Sequence, residues 1–449
     1  MPCGSCRWQC LLGLFWLTQL WTAVEADVLE PTYPASVLED AELSTVQLLA
    51  KYKYPGETHT VTTEDKYVLQ MHRIARPGAK PVLLMHGLLD SSATWILMGP
   101  HSGLGYFLYD AGYDVWLGNA RGNRYSRSHA KLNPNTDKAY WSFSWHEIGY
   151  YDLPALIDAV LSKTGYQKLS YFGHSQGTTS FFVMASTRPE YNAKIHVMSA
   201  LAPVAFMTNM QSPLIGVGQK VLPLIGEGQE ILPYYKDFSI CMLSKSVVEI
   251  CMFYLWRLIG KDPAEMNMTM LPAILTHVPA GANSNQFLHY LQLHKSDRFC
   301  SYDHNAQENQ RIYGRSKPPD YPLEKITAPV ALYYTQNDYL SAVKDVKRLI
   351  KRLPHVVENN LFPYKKWNHI DIVWGISTRR LAQPRMLEVM QLYEAIGAQN
   401  GTSLSPEDTD STTTETAQTT EQTTEQTTEH TEGFLSYSLN RLINYIFDD

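Results

Sequence analysis

The feature of this sequence best suited to chemistry is a serine placed between two glycines. Ser175 lies in residues 173–177, of sequence Gly-His-Ser-Gln-Gly, after the apolar run 168–172 and before a helix-forming stretch. A serine at a sharp turn between a strand and a helix needs small neighbours, because larger side chains would collide there. The pentapeptide alone also fits an ordinary turn, but its flanking strand and helix predict a nucleophilic hydroxyl at Ser175.

A serine hydroxyl becomes a good nucleophile only when a base takes its proton and a carboxylate orients that base. On a nucleophile turn of this kind the acid follows the serine along the chain and the histidine comes last. Asp338 follows the apolar run 330–334, and His369 lies in a later loop, after a helical pattern at 343–353. These positions predict Asp338 as the acid and His369 as the base.

Other titratable residues compete for these roles, since the sequence has 15 histidines. His174 adjoins the serine, but we expect its side chain to point away from it. Asp371 is a rival acid for which we favour a structural or helix-capping role. Three histidines of the segment after residue 202 are expected to be exposed or structural; they are His289, His294 and His304.

The reaction also needs hydrogen-bond donors for the negatively charged oxygen of a tetrahedral intermediate. The apolar run 81–85 leads into residues 86–89, of sequence His-Gly-Leu-Leu. These residues also fit a plain turn at the end of a strand. Their place on an early strand predicts that the backbone N–H of Leu88 is one oxyanion donor, and the residue after the nucleophile, Gln176, supplies the second.

Strands and helices alternate around these residues. The runs 60–63 and 67–71, joined by Glu64 and Asp65, predict a β-hairpin. Apolar runs separated by helical stretches then predict a mostly parallel sheet covered on both faces. These runs are 81–85, 113–117, 168–172, 195–201 and 329–334.

Two helices flank the serine in the sequence. Ser144 and Glu147 have the spacing of a capping box at the start of the first helix, and Gly165 ends its apolar period. Pro154 is expected to kink this helix early. The second helix is predicted to start just after Ser175.

The chain divides by composition into several parts. Residues 27–202 and 327–399 are predicted to form one core, and residues 203–326, rich in Leu, Met and aromatic residues, a cap inserted into it. An irregular surface excursion is the alternative, although such a long loop is uncommon in a compact domain. Residues 400–433 repeat Thr, Glu and Gln and are predicted to be a disordered linker. Residues 434–449 are amphipathic and fit either a small anchor or a poorly ordered end.

Residues 1–26 have the layout of a cleavable secretory signal, with one positive charge, a short apolar core and small residues at the end. The apolar core is short for a membrane anchor, and we expect no transmembrane span. Disulfides can form in the secretory pathway. Cys241 with Cys251 is the most economical pairing among the three cysteines of the mature chain, which also include Cys300.

Composition excludes several classes of function. The 449 residues are 44% hydrophobic, which is enough for one large core, and the net charge is −6. Basic residues do not cluster among spaced aromatics, so we expect no nucleic-acid partner. The three cysteines that follow the predicted signal, Cys241, Cys251 and Cys300, include no Cys-x-x-Cys pair, and we expect neither a metal nor another cofactor. The sequons at Asn267 and Asn400 are candidate glycosylation sites.

Further segments are distinctive when taken together with the serine pentapeptide. They are 61–65, 86–89, 111–123, 151–155, 173–179, 277–281 and 368–371. In these segments the chain resembles the acid lipases, a family that includes gastric lipase and lysosomal acid lipase. The resemblance covers roughly residues 54–393.

This resemblance implies an α/β-hydrolase fold, with a mostly parallel central sheet and an inserted cap. It implies a catalytic triad of Ser175, Asp338 and His369, with Leu88 and Gln176 as oxyanion donors. It also implies hydrolysis of triacylglycerols and cholesteryl esters without a metal, after secretion or delivery to lysosomes.

The sequence departs from the family in two places. The family's cap disulfide joins two closely spaced cysteines, but here Cys251 keeps one position and its usual downstream partner is absent. The acidic threonine repeat is foreign to the mammalian members. Neither the disulfide nor the destination therefore follows from the resemblance.

Together these observations predict a secreted or lysosomal lipase, monomeric, that cleaves neutral lipid esters at a lipid–water interface. A carboxylesterase or sterol esterase of narrower range is one alternative. A secreted lipid-binding protein that has lost catalysis is another, although the intact triad and oxyanion loop argue against it.

Overall fold

The computed structural model describes residues 33–234, 241 and 245–401. The predicted signal 1–26, the amphipathic segment 434–449 and all but the start of the predicted linker 400–433 lie outside these residues.

A twisted sheet of eight main strands forms the centre of the fold. They are β1 Gly56–Thr62, β2 Tyr67–Ile74, β3 Pro81–Met85, β4 Asp114–Leu117, β5 Leu169–His174, β6 Ile195–Leu201, β7 Val330–Tyr334 and β8 Val356–Leu361. Their order across the sheet is β1-β2-β4-β3-β5-β6-β7-β8. The pairs β1–β2 and β2–β4 are antiparallel, and the pairs from β4 to β8 are parallel. The two-residue strand Ser128–His129 also pairs with β2.

The predicted hairpin and mostly parallel sheet are confirmed, with shifts at the strand ends. The strand predicted at 168–172 continues to His174, because Gly173 and His174 pair with Ala200 and Leu201 of β6. Strand β8 has no apolar run of its own and carries two asparagines. It joins the sheet by parallel pairing with β7, a contact that periodicity does not reveal.

Helices cover both faces of the sheet and fill the segment between β6 and β7. Those of the core are α1 Ala35–Glu42, α2 Thr45–Lys51, α3 Leu104–Asp110, α4 Leu153–Thr164 and α5 Gln176–Thr187. Those between β6 and β7 are α6 Leu214–Ile225, α7 Lys245–Ile259, α8 Leu271–His277, α9 Ser284–Ser296 and α10 Ala306–Tyr313. The last four are α11 Val343–Ile350, α12 Asp371–Trp374, α13 Thr378–Leu381 and α14 Gln383–Gly401.

Short elements complete the described chain. The 3-10 turns are Ser92–Trp95, Lys138–Trp141, Pro189–Lys194, Met268–Met270 and Leu323–Lys325. Between β6 and β7, the strands Glu230–Ile231 and Ala282–Asn283 form a small antiparallel ribbon. This segment is mostly helical, and the end of α7 contacts the loops that follow β7 and β8.

The helix before β5 forms as its sequence predicts. Ser144 and Glu147 make the capping box at the single turn Trp145–Glu147, and Gly165 ends α4 with a φ of 76°. A π-helical turn, Ile148–Asp152, ends two residues before Pro154. Because proline has no N–H to donate to the carbonyl of Tyr150, that carbonyl instead accepts a bond from Arg188 Nη1 at 3.3 Å.

A buried ion cluster connects α4 to the loop after β4. The side chains of Arg121 and Asp152 are both 0% exposed, and their nitrogen and oxygen atoms are 2.7 Å apart. Arg121 also binds Asp65 of the β1–β2 turn at 2.6 Å and lies 3.9 Å from the ring centroid of Tyr67. This guanidinium therefore holds together the hairpin, the loop after β4 and the helix beneath them.

Replacing Arg121 by Met should lower the free energy of unfolding by about 3–5 kcal/mol, because the Asp152 carboxylate would be left buried without a counter-charge. Thermal unfolding followed by circular dichroism measures the effect. The double variant R121M/D152N should recover part of the loss. Arg385→Met, which removes exposed ion pairs, is the control and should have little effect. Equal losses in R121M and R385M would contradict this account.

Candidate active site

Ser175 occupies a strained turn between β5 and α5. Its φ of 51° and ψ of −116° are unfavourable for a residue with a side chain. The turn is held by hydrogen bonds from Ser175 N to Leu201 O at 3.0 Å and from Thr178 N to Ser175 O at 2.9 Å. A Cβ atom on Gly177 would lie 2.2 Å from the carbonyl oxygen of Met85. The glycine is therefore required by the close approach of two backbones.

The predicted acid and base are in direct contact. His369 Nδ1 donates to Asp338 Oδ2 at 2.8 Å, and both residues are buried. The other carboxylate oxygen of Asp338 accepts backbone bonds from Leu340 at 2.8 Å and Ser341 at 2.7 Å. Since Nδ1 carries the proton, His369 Nε2 has a free lone pair, and it has no hydrogen-bond partner in the described part of the chain.

His174 connects the serine turn to the base. Its Nε2 donates to the carbonyl oxygen of His369 at 2.9 Å, and the two rings lie 5.0 Å apart. Burial and the nearby His369 lower the pKa of His174 to about 3, so this ring stays neutral. The sequence predicted no contact for His174, and its position directly before the serine is the only signal that could have suggested one.

The oxyanion loop lies against the serine turn. A Cβ atom on Gly87 would lie 3.2 Å from Ser175 Cβ. His86 Nδ1 donates to Gly87 O at 2.7 Å. Because the peptide is planar and trans, this bond directs the N–H of Leu88 to the opposite side. The N–H of Gln176 belongs to the first turn of α5 and has no acceptor within the helix.

His86 is itself held by the loop after β4. Its Nε2 accepts from the backbone N–H of Ala120 and from Asn123 Nδ2, both at 3.1 Å. Burial lowers the pKa of His86 to about 4, which keeps Nε2 an acceptor and Nδ1 a donor. His86 thus positions the loop that carries the predicted oxyanion donor Leu88, a role that the sequence alone did not reveal.

Asp371 lies two residues after His369 in the chain, but the carboxylate that His369 contacts is that of Asp338. It begins α12 and accepts from the backbone N–H of Asn368 at 2.8 Å. Burial, with the carboxylates of Asp262, Glu265 and Asp338 nearby, raises its pKa to about 8. It is therefore a protonated, helix-terminal residue, in line with the structural role expected from the sequence.

Other residues singled out by the sequence lie within the segment 203–326. His289 is buried and stacks on Trp145 with ring centroids 3.6 Å apart. Asn267 is partly exposed and caps a 3-10 turn. The structure joins Cys241 to Cys251 in a disulfide, with the Cα atoms 5.9 Å apart.

The remaining sequence expectations concern thiols, glycans, metals and membranes. Cys300 is buried as a free thiol, and Asn400 lies in the last turns of α14. Among the described residues, no group of three or more His, Cys, Asp or Glu side chains is placed to bind a metal ion. Within the same ranges, every helix is too short or too polar to cross a bilayer.

Comparison with known proteins assigns this arrangement to a family. Residues 45–99 match the model of a partial alpha/beta-hydrolase lipase region, and residues 80–217 match that of the alpha/beta hydrolase fold. Lipase 1 of Drosophila melanogaster is 44% identical over 79% of this chain and 81% of its own length. Human lipase member K is 34% identical over 86% and 99%, and bovine gastric triacylglycerol lipase is 34% identical over 78% and 92%.

The chain belongs to the acid lipase family. These matches confirm the α/β-hydrolase fold and the resemblance to the acid lipases that the sequence motifs indicated. The catalytic roles of individual residues in this lipase are proposals.

The identity of the acid can be tested by two matched substitutions. Asp338→Asn should lower kcat by about 10⁴-fold, because the amide no longer orients the His369 ring with its proton on Nδ1. Asp371→Asn should change kcat by less than about tenfold. Rates on a soluble ester at one pH give the comparison. A larger loss in D371N than in D338N would exchange the two roles.

Asp371 should also make stability depend on pH. Its folded pKa, about 8, lies above the ordinary value of 3.8. The stabilising contribution is therefore complete below the ordinary pKa and is lost as the pH rises through about 8. Between pH 5 and pH 8 the Tm of the wild type should fall more than that of D371N, by at least roughly 2 °C. The same change at the exposed Asp110 is the control, and equal slopes in all three proteins would refute the assignment.

Proposed function

We propose that this lipase hydrolyses the carboxylic esters of neutral lipids, triacylglycerols and cholesteryl esters, through an acyl-enzyme on Ser175. The observation that carries the proposal is the Asp338–His369 pair beside a strained serine turn, with His369 Nε2 free to accept a proton. The likeness to gastric triacylglycerol lipase supports the substrate class.

In the proposed acylation step, Ser175 is the nucleophile and His369 the base. As Ser175 Oγ attacks the ester carbonyl carbon, His369 Nε2 takes the hydroxyl proton, and the carbonyl oxygen becomes an oxyanion. The N–H groups of Leu88 and Gln176 donate to that oxygen. The intermediate then collapses: the bond to the alcohol oxygen breaks, and His369 gives its proton to the departing alcohol.

Deacylation repeats these steps with water. His369 Nε2 takes a proton from water as the hydroxide attacks the acyl carbon, and the same two N–H groups bind the second oxyanion. The bond to Ser175 Oγ breaks, the proton returns to Oγ, and the fatty acid leaves. Throughout, Asp338 faces the imidazolium with a negative charge that two backbone N–H groups hold in place.

Apolar side chains on the segment between β6 and β7 support a lipid substrate. Ile250, Phe253 and Tyr254 of α7 are 42%, 55% and 64% exposed, and Leu224 of α6 is 85% exposed. Large apolar groups exposed together on one segment are typical of surfaces that contact lipid or another protein. We propose that this segment is a cap that meets the lipid–water interface.

The destination and assembly are also proposals. Relatives of the gastric type favour secretion or delivery to lysosomes, and the signal-like residues 1–26 agree with entry into that pathway. The partly exposed Asn267 is then a candidate glycan acceptor on the cap. We expect the enzyme to act as a monomer.

A fluorophosphonate probe tests the nucleophile. The wild type should be labelled on Ser175, and Ser175→Ala should lose labelling and about 10⁶-fold in turnover. Ser36→Ala, which replaces an exposed serine, should behave as the wild type. A chain that folds but remains unlabelled would be a lipid-binding protein without catalysis.

A substrate panel tests the lipid preference. Rates on emulsified triolein and cholesteryl oleate should exceed the rate on a soluble butyrate ester at equal ester concentration, because the apolar cap stabilises long acyl chains. Measurements by fatty-acid titration across pH compare the three. Faster cleavage of the soluble ester would indicate a carboxylesterase instead, and cleavage of cholesteryl oleate alone a sterol esterase.

A further inference from the structure

The end of helix α7 touches both loops that carry the acid and the base. The carbonyl oxygen of Ile259 accepts from the backbone N–H of Tyr339 and from that of His369, each at 3.4 Å. Tyr339 directly follows Asp338 in the chain. One carbonyl group of the cap is thus shared by the two catalytic loops.

The next two carbonyl groups continue this contact. Gly260 O accepts from Asn368 Nδ2 at 3.0 Å, and Lys261 O accepts from Asn337 Nδ2 at 3.1 Å. Asn337 Nδ2 also donates to the carbonyl of Lys366, at 2.7 Å, on the base loop. Three consecutive carbonyls of the cap therefore accept hydrogen bonds from the two chain neighbours of Asp338, from His369 and from the residue before it.

Gly260 is required for this close approach. Its φ of 103° lies in a region that side chains disfavour, and a Cβ atom here would lie 1.9 Å from the carbonyl oxygen of Asn337. That atom is backbone, so the overlap cannot be relieved by a rotamer change. A substitution would push the acid loop away from the end of α7.

We propose that Gly260 is a positioning residue that sets the distance between Asp338 and His369 and couples the seating of the cap helix to catalysis. This inference rests on the proposed function, since it assigns a role relative to the Ser175 triad. The opposite faces of α7 support it: Val248, Met252 and Trp256 are buried, while Phe253 and Tyr254 are exposed. The element that presents apolar groups to the outside therefore also holds the acid and base loops.

Gly260→Ala tests the proposal, with Gly226→Ala as the matched control. Gly226 also has a positive φ, 82°, and also follows a helix of the cap, but a Cβ atom there would meet nothing within 4 Å beyond its chain neighbours. The control carries the backbone strain of alanine without the collision. The readouts are kcat and KM on a soluble butyrate ester, the pH profile of kcat/KM, the rate of fluorophosphonate labelling and the Tm.

In G260A we expect kcat to fall about 10²-fold, because small misplacements of catalytic groups are costly. KM should change by less than about threefold, and the acid limb of the pH profile should move, because the environment of His369 changes. G226A should keep the kcat and pH profile of the wild type. Equal activity in G260A and G226A, or a loss in G260A confined to Tm, would overturn the inference.

Asn337→Ala provides a second test that introduces no collision and decides the matter if G260A does not fold. It removes the bonds to the Lys261 and Lys366 carbonyls, and kcat should fall about 3–10-fold at constant KM. The exposed Asn135→Ala is its control. An unchanged kcat and pH profile in N337A would overturn the inference. A wild type that the probe does not label would instead contradict the proposed function, whatever these variants do.

Discussion

The structure depends on a close approach of backbones at the carboxyl ends of β3 and β5. Gly177 lies so near the Met85 carbonyl that no side chain fits, and Gly87 lies against the Cβ of Ser175. This contact places the loop after β3 beside the strained serine turn. The strain at Ser175 persists because the sheet and helix around it fix the backbone on both sides. The positions of the base and the acid matter only because this turn presents the hydroxyl.

Buried neutral histidines form the support around this turn. His86 directs the peptide that precedes Leu88, and His174 binds the backbone of His369. Burial lowers the pKa of both rings, so neither carries a positive charge near the base. A charge there would oppose proton uptake by His369. Burial thus keeps the imidazoles of His86 and His174 neutral, as fixed hydrogen-bonding groups beside His369.

The segment between β6 and β7 covers the core and takes part in its geometry. Helix α7 exposes Phe253 and Tyr254 and ends in three carbonyl groups bound to the acid and base loops. Movement of these loops would lengthen or break the 2.8 Å hydrogen bond between His369 and Asp338. Because these carbonyls accept hydrogen bonds from both loops, the end of α7 contributes to the order of the site.

Interactions between residues close together in the sequence were enough to predict much of the fold and part of the site. Gly173 before Ser175, the capping box of Ser144 and Glu147, and the helix end at Gly165 all follow from sterics and hydrogen bonds among neighbouring residues. Chain order pointed to Asp338 and His369, although the sequence has 15 histidines.

The tertiary structure alone decided the contacts between distant residues. Whether Asp338 or Asp371 contacts His369 depends on how β7 and α12 are placed in the fold. The spacing of these residues along the chain does not determine the distances between their side chains. The roles of His86 and Gly260 depend on partners that lie 34 and more than 70 residues away. Such contacts come from the packing of the sheet and cap, because a hydrogen bond between remote segments leaves no periodic pattern in either one.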